Sequence, residues 1–347
     1  MAVLYGNEEY KKYKGKFRLT AIDGSKIILP NEKDIIREFG AISYTNGKDS
    51  EILGSKPQAT ASVMYDVLNK IAIDSILGYS KAYEVDLAEE HLSYAGSNDL
   101  VLLDRNYTSY RFLSYMRMRG IDFVCRCSRK SFKAAQEMFE GKGRDSQIVT
   151  LFPPNIKETR ELGLPTQIKV RFVRLKLDTG ETEILVTSLI DEDLYITSDF
   201  KELYNLRWGI ETFYSIVKTR LSLENFTGKS AESVKQDFYA TIYITGLESI
   251  LTSGVNKELE EKTSNPDIKK RAENKQKVNK AVSFNAIKNN VFDLLYSEID
   301  IDIVVEKLEA LFRMNPNCVR KKPKQERKKV SLTKKINYHK RIRKICY

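Results

Sequence analysis

Hydrophobic and polar positions alternate early in the chain. Phe17 to Asp23 (FRLTAID) predicts a strand, and Gly24-Ser25 a tight turn leading into a second one, Lys26 to Leu29. Residues 58–67 and 70–79 are rich in β-branched side chains with partial alternation, and their junction near Asn69 predicts a hairpin. Residues 84–95 carry a helical pattern. Leu100 to Leu103 is a short run with no polar residue, as in a central strand buried on both faces, and it ends in Asp104. A helix over 107–119 and a strand over 121–127 complete a strand-helix-strand crossover. This order predicts an α/β fold, a mixed sheet flanked by helices.

The pattern then changes. After a helix at 131–140 come three strand-like runs, Ile148–Phe152, Gln167–Leu177 and Thr182–Leu189, the last two joined by the hairpin signal Asp178-Thr179-Gly180. They predict an inserted, mostly β subdomain over 129–200. From 201 to 314 the chain reads as helical, with a polar break at 255–283 that is either a linker or an exposed helix. No internal repeat is visible. The expected organisation is a first part of the core at 1–128, the insertion at 129–200, the rest of the core with C-terminal helices at 201–314, and a tail at 315–347.

The most informative segment is Asp199 to Leu221, predicted as one helix with Ser198 or Asp199 as its N-cap. At about 100° per residue, Leu203, Leu206, Ile210, Tyr214, Val217 and Leu221 gather on one side. Tyr204, Arg207, Glu211 and Lys218 gather on another, within roughly 60° of each other. One face thus carries a carboxylate flanked by two cations and a phenol. On helix geometry alone, an ordinary surface pair between Arg207 and Glu211 explains it as well.

Composition narrows the choice. Hydrophobic residues make up 41% of the 347, enough for a buried core. No run approaches the roughly eighteen apolar residues of a membrane span, and Met1 to Lys16 lacks the apolar stretch of a secretory signal. Four cysteines (Cys125, Cys127, Cys318, Cys346) are too scattered for a disulfide framework, and Cys125-x-Cys127 has no matching pair, so the reading is a strand with reduced thiols in a cytoplasmic protein. Charge is concentrated at one end. Pro316 to Tyr347 holds thirteen Lys or Arg and one acid, Glu326; that +12, set against the whole chain's +11, leaves residues 1–315 at −1. A basic tail on a near-neutral body fits an arm for a polyanion, or a solvated charge run.

Asp23 and Asp104 each end a predicted strand, where α/β folds place their sites. With Glu211 they form a set of three acids without a catalytic His or Cys. Such a set suits oxygen-preferring divalent ions, Mg²⁺ or Mn²⁺. Two of these ions roughly 3.5–4 Å apart serve phosphoryl transfer.

The spacing Tyr204-x2-Arg207-x3-Glu211-x6-Lys218 resembles the YREK signature of the insertion-sequence-four family of DDE transposases. Asp23-Gly24-Ser25 with Pro30 beyond it, and Asp104-Arg105-Asn106-Tyr107 followed by Phe123-Val124-Cys125-Arg126, resemble that family's two Asp segments. The resemblance covers roughly residues 17–330. It implies a ribonuclease-H-like core in which Asp23, Asp104 and Glu211 hold two Mg²⁺ ions (Mn²⁺ substituting), with the β insertion ahead of the Glu helix. It implies that Tyr204, Arg207 and Lys218 grip phosphates, and that a homodimer cleaves and joins double-stranded DNA at insertion-sequence ends, commonly through a hairpin, in the bacterial nucleoid. Asp23 follows Met1 by only 22 residues, less than the DNA-binding region such proteins carry, so a shortened form is expected. The only tryptophan, Trp208, is expected to pack the helix. A ribonuclease-H-like nuclease without joining activity, or a non-catalytic nucleic-acid-binding relic, remain as alternatives.

Overall fold

A computed structural model describes residues 10–45, 52–264 and 275–319. The chain forms two compact units, residues 1–242 and 243–347, and their boundary falls within one long helix. Among the described residues no helix is long and apolar enough to cross a membrane.

The first unit is built on one mixed sheet. Its strands in chain order are β1 (Arg18–Ile28), β2 (Ala41–Thr45), β3 (Ile52–Asp66), β4 (Ile71–Tyr79), β5 (Asp99–Leu103), β6 (Asp122–Arg126), β7 (Ser146–Leu151), β8 (Ile168–Lys176) and β9 (Thr182–Thr187). β3 pairs antiparallel with both β4 and β1, and β2 adds along its first half. β1, β5 and β6 run parallel. Beyond β6 the sheet continues antiparallel through β9, β8 and β7. Three antiparallel strands followed by two parallel ones make up the ribonuclease-H-like mixed sheet that the resemblance implies. The segment 129–200, expected as an inserted subdomain, supplies β7, β8 and β9 as an extension of that same sheet.

Two corrections concern local structure. Gly24-Ser25 is not a turn: β1 runs unbroken from Arg18 to Ile28, and Asp23 pairs with Val63 in mid-ladder. The Glu84 side chain lies against Gly24, its Oε1 2.9 Å from where a Cβ would stand. The second correction is to the Asp199–Leu221 helix, which is broken. It divides into α6 (Asp199–Asn205), α7 (Trp208–Ser215) and a π-helical turn over Ile216–Arg220. At the first junction Leu206, Arg207, Gly209 and Ile210 donate to carbonyls three residues back, a tighter 3₁₀ pattern. No proline signals this break. Leu206 is thereby left partly exposed instead of joining the apolar side, and Ser198 makes no capping bond.

Helices cover both faces of the sheet. Alternation along β5 sends Leu100 and Leu102 to one face, Val101 and Leu103 to the other. On the first face α6 and α7 add Phe200, Leu203, Ile210 and Phe213, and the π turn adds Val217. On the second lie α2 (Glu84–His91), α3 (Tyr110–Met118) and α4 (Lys133–Phe139), through Val85, Ala88, Leu113, Met116 and Met138. A short α1 (Lys33–Phe39) links β1 to β2, and α5 (Ile156–Glu161) links β7 to β8. Cys125 and Cys127 are buried on and just after β6, where burial pushes the Cys125 thiol up to about 12. A thiol so protonated is a poor metal ligand, in keeping with the plain strand reading.

The second unit holds the rest of α8 (Ala231–Ser264), a small antiparallel pair of β10 (Gln276–Val278) with β11 (Pro316–Cys318), α9 (Lys280–Leu295) and α10 (Ile301–Met314). Val304, Leu308 and Phe312, spaced i, i+4, i+8 on α10, bury against Val255, Leu259 and Ile287. Glu248 is buried, and Lys280 and Ser283 bond its two carboxylate oxygens at 2.5 and 2.6 Å. The polar break thus begins as helix to Ser264; residues 265–274 lie outside the described residues. The tail begins as strand β11, and the remainder of its charge, residues 320–347, also lies outside them.

Candidate active site

Two adjacent parallel strands bring the first two acids together. β1 and β5 pair from Arg18↔Asp99 to Ala21↔Leu102, and continuing that register by two residues sets Asp23 level with Asp104. Strand alternation puts both side chains on the face of Ala21 and Leu102. α7 packs on that face through Ile210, Phe213 and Tyr214, and it carries Glu211. Its approach is close because Gly209 has no Cβ; one would meet Val67 at 3.3 Å. Thus all three acids face one region.

Each acid is held by named contacts. Oδ1 of Asp23 accepts the Gly24 N–H at 2.9 Å. The Tyr214 hydroxyl donates to the carbonyls of Asp23 (2.9 Å) and Ala61 (3.1 Å), pinning this part of β1 beneath α7. Asp104 caps the 3₁₀ turn Arg105–Tyr107, its carboxylate accepting the Asn106 N–H at 2.7 Å. Burial pushes the Asp23 carboxyl up to about 6; the Gly24 N–H and Arg207 pull it down, and Asp104 and Glu211 raise it further. Both acids thus lie within electrostatic reach of Asp23.

Arg207 stands among them. Its Nη2 donates to Oε1 of Glu211 at 2.6 Å and its Nη1 lies 3.9 Å from Oδ2 of Asp23, with only 6% of the side chain exposed. Tyr204, expected to grip a phosphate, lies beneath the end of β5. Its phenol is buried and donates to the Leu103 carbonyl at 3.1 Å, so it fixes the end of β5 just before Asp104. Lys218 lies in the π-helical turn beyond α7. From the π turn its Nζ donates to the Lys26 carbonyl at 2.5 Å, with Glu224 3.9 Å away. Burial lowers the Lys218 pKa against the pull of Glu224. Trp208, expected to pack the helix, is half exposed with the Arg207 guanidinium 5.2 Å from its ring centre. It lines an open cavity of about 480 Å³ together with Arg105, Arg126, Arg129, Glu183 and Tyr204.

Do these residues suit a divalent ion? The donors are carboxylates, the right chemistry for Mg²⁺ or Mn²⁺. Among the described residues, however, no three acids, histidines or cysteines stand close enough to hold an ion as placed. The Arg207 guanidinium lies between two of the acids, 2.6 Å from Glu211 and 3.9 Å from Asp23. A divalent ion between Asp23 and Glu211 would have to displace the Arg207 guanidinium.

Sequence reasoning passed over three residues around this cluster. Glu84, at the start of α2, presses its carboxylate against Gly24, and nothing in the sequence signals that approach. Tyr214 was legible only as an apolar position, and its hydroxyl role depends on β1 and β3 lying beneath it. Tyr107 was quoted as part of the second Asp segment, without a role of its own.

The chain is 24% identical over 189 residues to "Transposase InsG for insertion sequence element IS4" of Escherichia coli strain K12, covering 54% of this chain and 42% of that one. It therefore spans less than half the length of this curated relative. A solved structure, a cryo-EM synaptic complex of piggyBac transposase with hairpin DNA, aligns over 89% of this chain and 60% of its own at 12% identity and a TM-score of 0.46. Residues 14–245 match the family model of the transposase DDE domain. That span holds the sheet, both Asp strands and the Glu211 helix, and the chain belongs to the transposase DDE domain family.

Proposed function

We propose that this protein is a metal-dependent DNA transposase that cleaves insertion-sequence ends and joins them to target DNA. The observation that carries this reading is the parallel pairing of β1 with β5, whose register, continued past Ala21 and Leu102, brings Asp23 level with Asp104 beneath the helix that carries Glu211. Asp23, Asp104 and Glu211 would hold two Mg²⁺ ions, with Mn²⁺ able to substitute. Divalent ions there supply charge neutralisation at the attacking and leaving oxygens of an in-line phosphoryl displacement.

The chain's own residues do the positioning. Arg207 gives up Glu211 and turns its planar fork to a DNA phosphate, for which guanidinium geometry is suited. Lys218 offers a point charge near Lys26, three residues beyond Asp23 on β1. Tyr204 orients the end of β5 through the Leu103 carbonyl, and Tyr214 does the same for β1. The basic C-terminal tail binds the DNA backbone without regard to sequence. Two copies of the chain pair the two ends of the element.

The experiment is cleavage of a duplex containing the DNA that borders this gene, with and without Mg²⁺. Cutting at the element boundary followed by joining supports the reading. Binding without divalent-dependent cutting overturns it.

A further inference from the structure

Phe292, Leu295 and Tyr296 stand at i, i+3 and i+4 at the end of α9, and all three face solvent. The Tyr296 N–H donates to the Phe292 carbonyl at 2.8 Å, and the two rings lie 5.8 Å apart centre to centre. The connection over residues 296–300 adds Ile299, and α10 opens with Ile301 and Ile303; at least half of each isoleucine is exposed. The core of this unit is already filled from the other side of the hairpin by Ile287, Leu294, Val304 and Leu308. The exposed residues are thus a second apolar surface. Single apolar residues are ordinary on a protein exterior, whereas a group gathered at one helix turn marks an interaction site.

Its rim is acidic. From Asn289 to Glu306 the sequence holds Asp293, Glu298, Asp300, Asp302 and Glu306 and no Lys or Arg. These five acids make no ion pair among the described residues, whereas Lys275, Lys280 and Arg313 elsewhere in the unit pair with Glu260, Glu248 and Glu258. An apolar surface with such a rim repels DNA and a second copy of itself alike. It fits a basic segment that carries apolar side chains.

Residues 320–347 are such a segment. They hold thirteen Lys or Arg against Glu326, with Val330, Leu332, Ile336, Tyr338, Ile342 and Ile345 spaced among them. Reach is sufficient. β10 leads into α9, β11 follows α10, and the two strands pair, so residue 320 follows from the end of the hairpin opposite the apolar surface. The 16 residues of α9 make that distance about 24 Å. The 28 residues 320–347 would span about 42 Å even as a helix, and more when extended.

We propose that residues 320–347 dock on the acid-rimmed apolar surface at the α9–α10 turn of their own chain, and that duplex DNA competes for them. The competition rests on the role of the tail given under Proposed function; the docking does not. A tail held in this way meets DNA only for the fraction of time that it is free, and the apparent affinity falls by that fraction.

The test is limited trypsin digestion of the full chain at low salt, reading cuts within 320–347 by mass spectrometry. Phe292→Ser combined with Tyr296→Ser is expected to speed tail cleavage about fivefold, since cleavage follows the population of the open form. Its melting temperature is expected to hold, because both side chains are exposed. Glu298→Gln with Glu306→Gln, which leaves the apolar side chains in place, is expected to speed cleavage by a smaller factor. Affinity for a duplex of arbitrary sequence is expected to rise with the cleavage rate in each variant. Equal tail cleavage in wild type and both variants overturns the docking. So does a shift in sedimentation of the variants with tail cleavage unchanged, which assigns the surface to a second copy. Faster cleavage without any gain in duplex affinity overturns the competition and the tail's DNA role, and leaves the docking standing.

Discussion

The Arg207 guanidinium donates to Glu211 at 2.6 Å and lies 3.9 Å from Asp23, so that one buried cation spans two of the three acids of the site. It acts as the counter-ion where divalent charge is expected to sit. Asp23, the more buried of the two acids, would otherwise carry its charge at low dielectric without a nearby cation. Charge balance in the metal-free protein thus depends on a residue that must move for the site to fill.

Removal of Arg207 is therefore expected to have opposite effects on two measurements. Arg207→Ala should bind Mn²⁺ more tightly without DNA, by about three- to tenfold, since no internal cation competes (about 1 kcal/mol). Cleavage by the same variant should fall, because the phosphate contact is gone. Titration calorimetry and single-turnover cleavage check the pair. Weaker Mn²⁺ binding in the variant would show that Arg207 supports the ion instead of standing in for it.

Trp208 offers an optical readout. It is the only tryptophan in the chain and the guanidinium lies 5.2 Å from its ring centre. Saturation with Mg²⁺ is expected to change its emission as Arg207 moves, and Arg207→Ala should abolish the change. Emission that ignores Mg²⁺ while calorimetry records binding would mean that Arg207 stays in place.

The raised pKa of Asp23 gives a signed pH dependence. Its carboxyl titrates at about 6 in the folded protein, above the ordinary value of 3.8. Between those values the folded state binds more protons than the unfolded one, so metal-free stability falls as pH rises through 6. The contribution, at most about 3 kcal/mol for a two-unit shift, is fully present below about 4. Divalent affinity needs the ionised acid and should change the other way, declining as pH drops below 6. Chemical denaturation of wild type and Asp23→Asn from pH 4 to 7 checks the first trend; an identical slope in the two proteins contradicts it.

Tyr204 distinguishes a phosphate contact from a structural one. Its hydroxyl is bound to the Leu103 carbonyl inside the core. Tyr204→Phe should cost about 0.5–1.5 kcal/mol of stability and leave the salt dependence of DNA binding unchanged. A shallower salt slope with unaltered stability would return the phenol to the DNA surface.

The limits of the sequence are visible in these same residues. Leu100–Leu103 announced a central strand because a strand buried on both faces has no polar position to hide, and the YREK spacing placed Arg207 beside Glu211 because i, i+4 contacts survive a local distortion. The alternation of β1 was legible too, but Asp-Gly suggests a turn in any isolated stretch. The approach of Glu84 to Gly24, 60 residues apart, has no local signal at all. Likewise, the regular helix drawn through Asp199–Leu221 put Tyr204 and Lys218 on one face with Glu211. The 3₁₀ junction and the π turn follow from packing on β1 and β5, and a 100° periodicity cannot register them.

The central claim is that Asp23, Asp104 and Glu211 together hold the ions that cut DNA. Single-turnover cleavage of the gene's own bordering duplex in Mg²⁺ tests it most directly, with binding to the same duplex measured in parallel for Asp23→Asn, Asp104→Asn and Glu211→Gln. Each variant is expected to keep wild-type DNA affinity within about threefold and to lose cleavage by at least about a thousandfold, as when groups that act as a unit are removed singly. Wild-type cleavage by any one of the three would contradict the account.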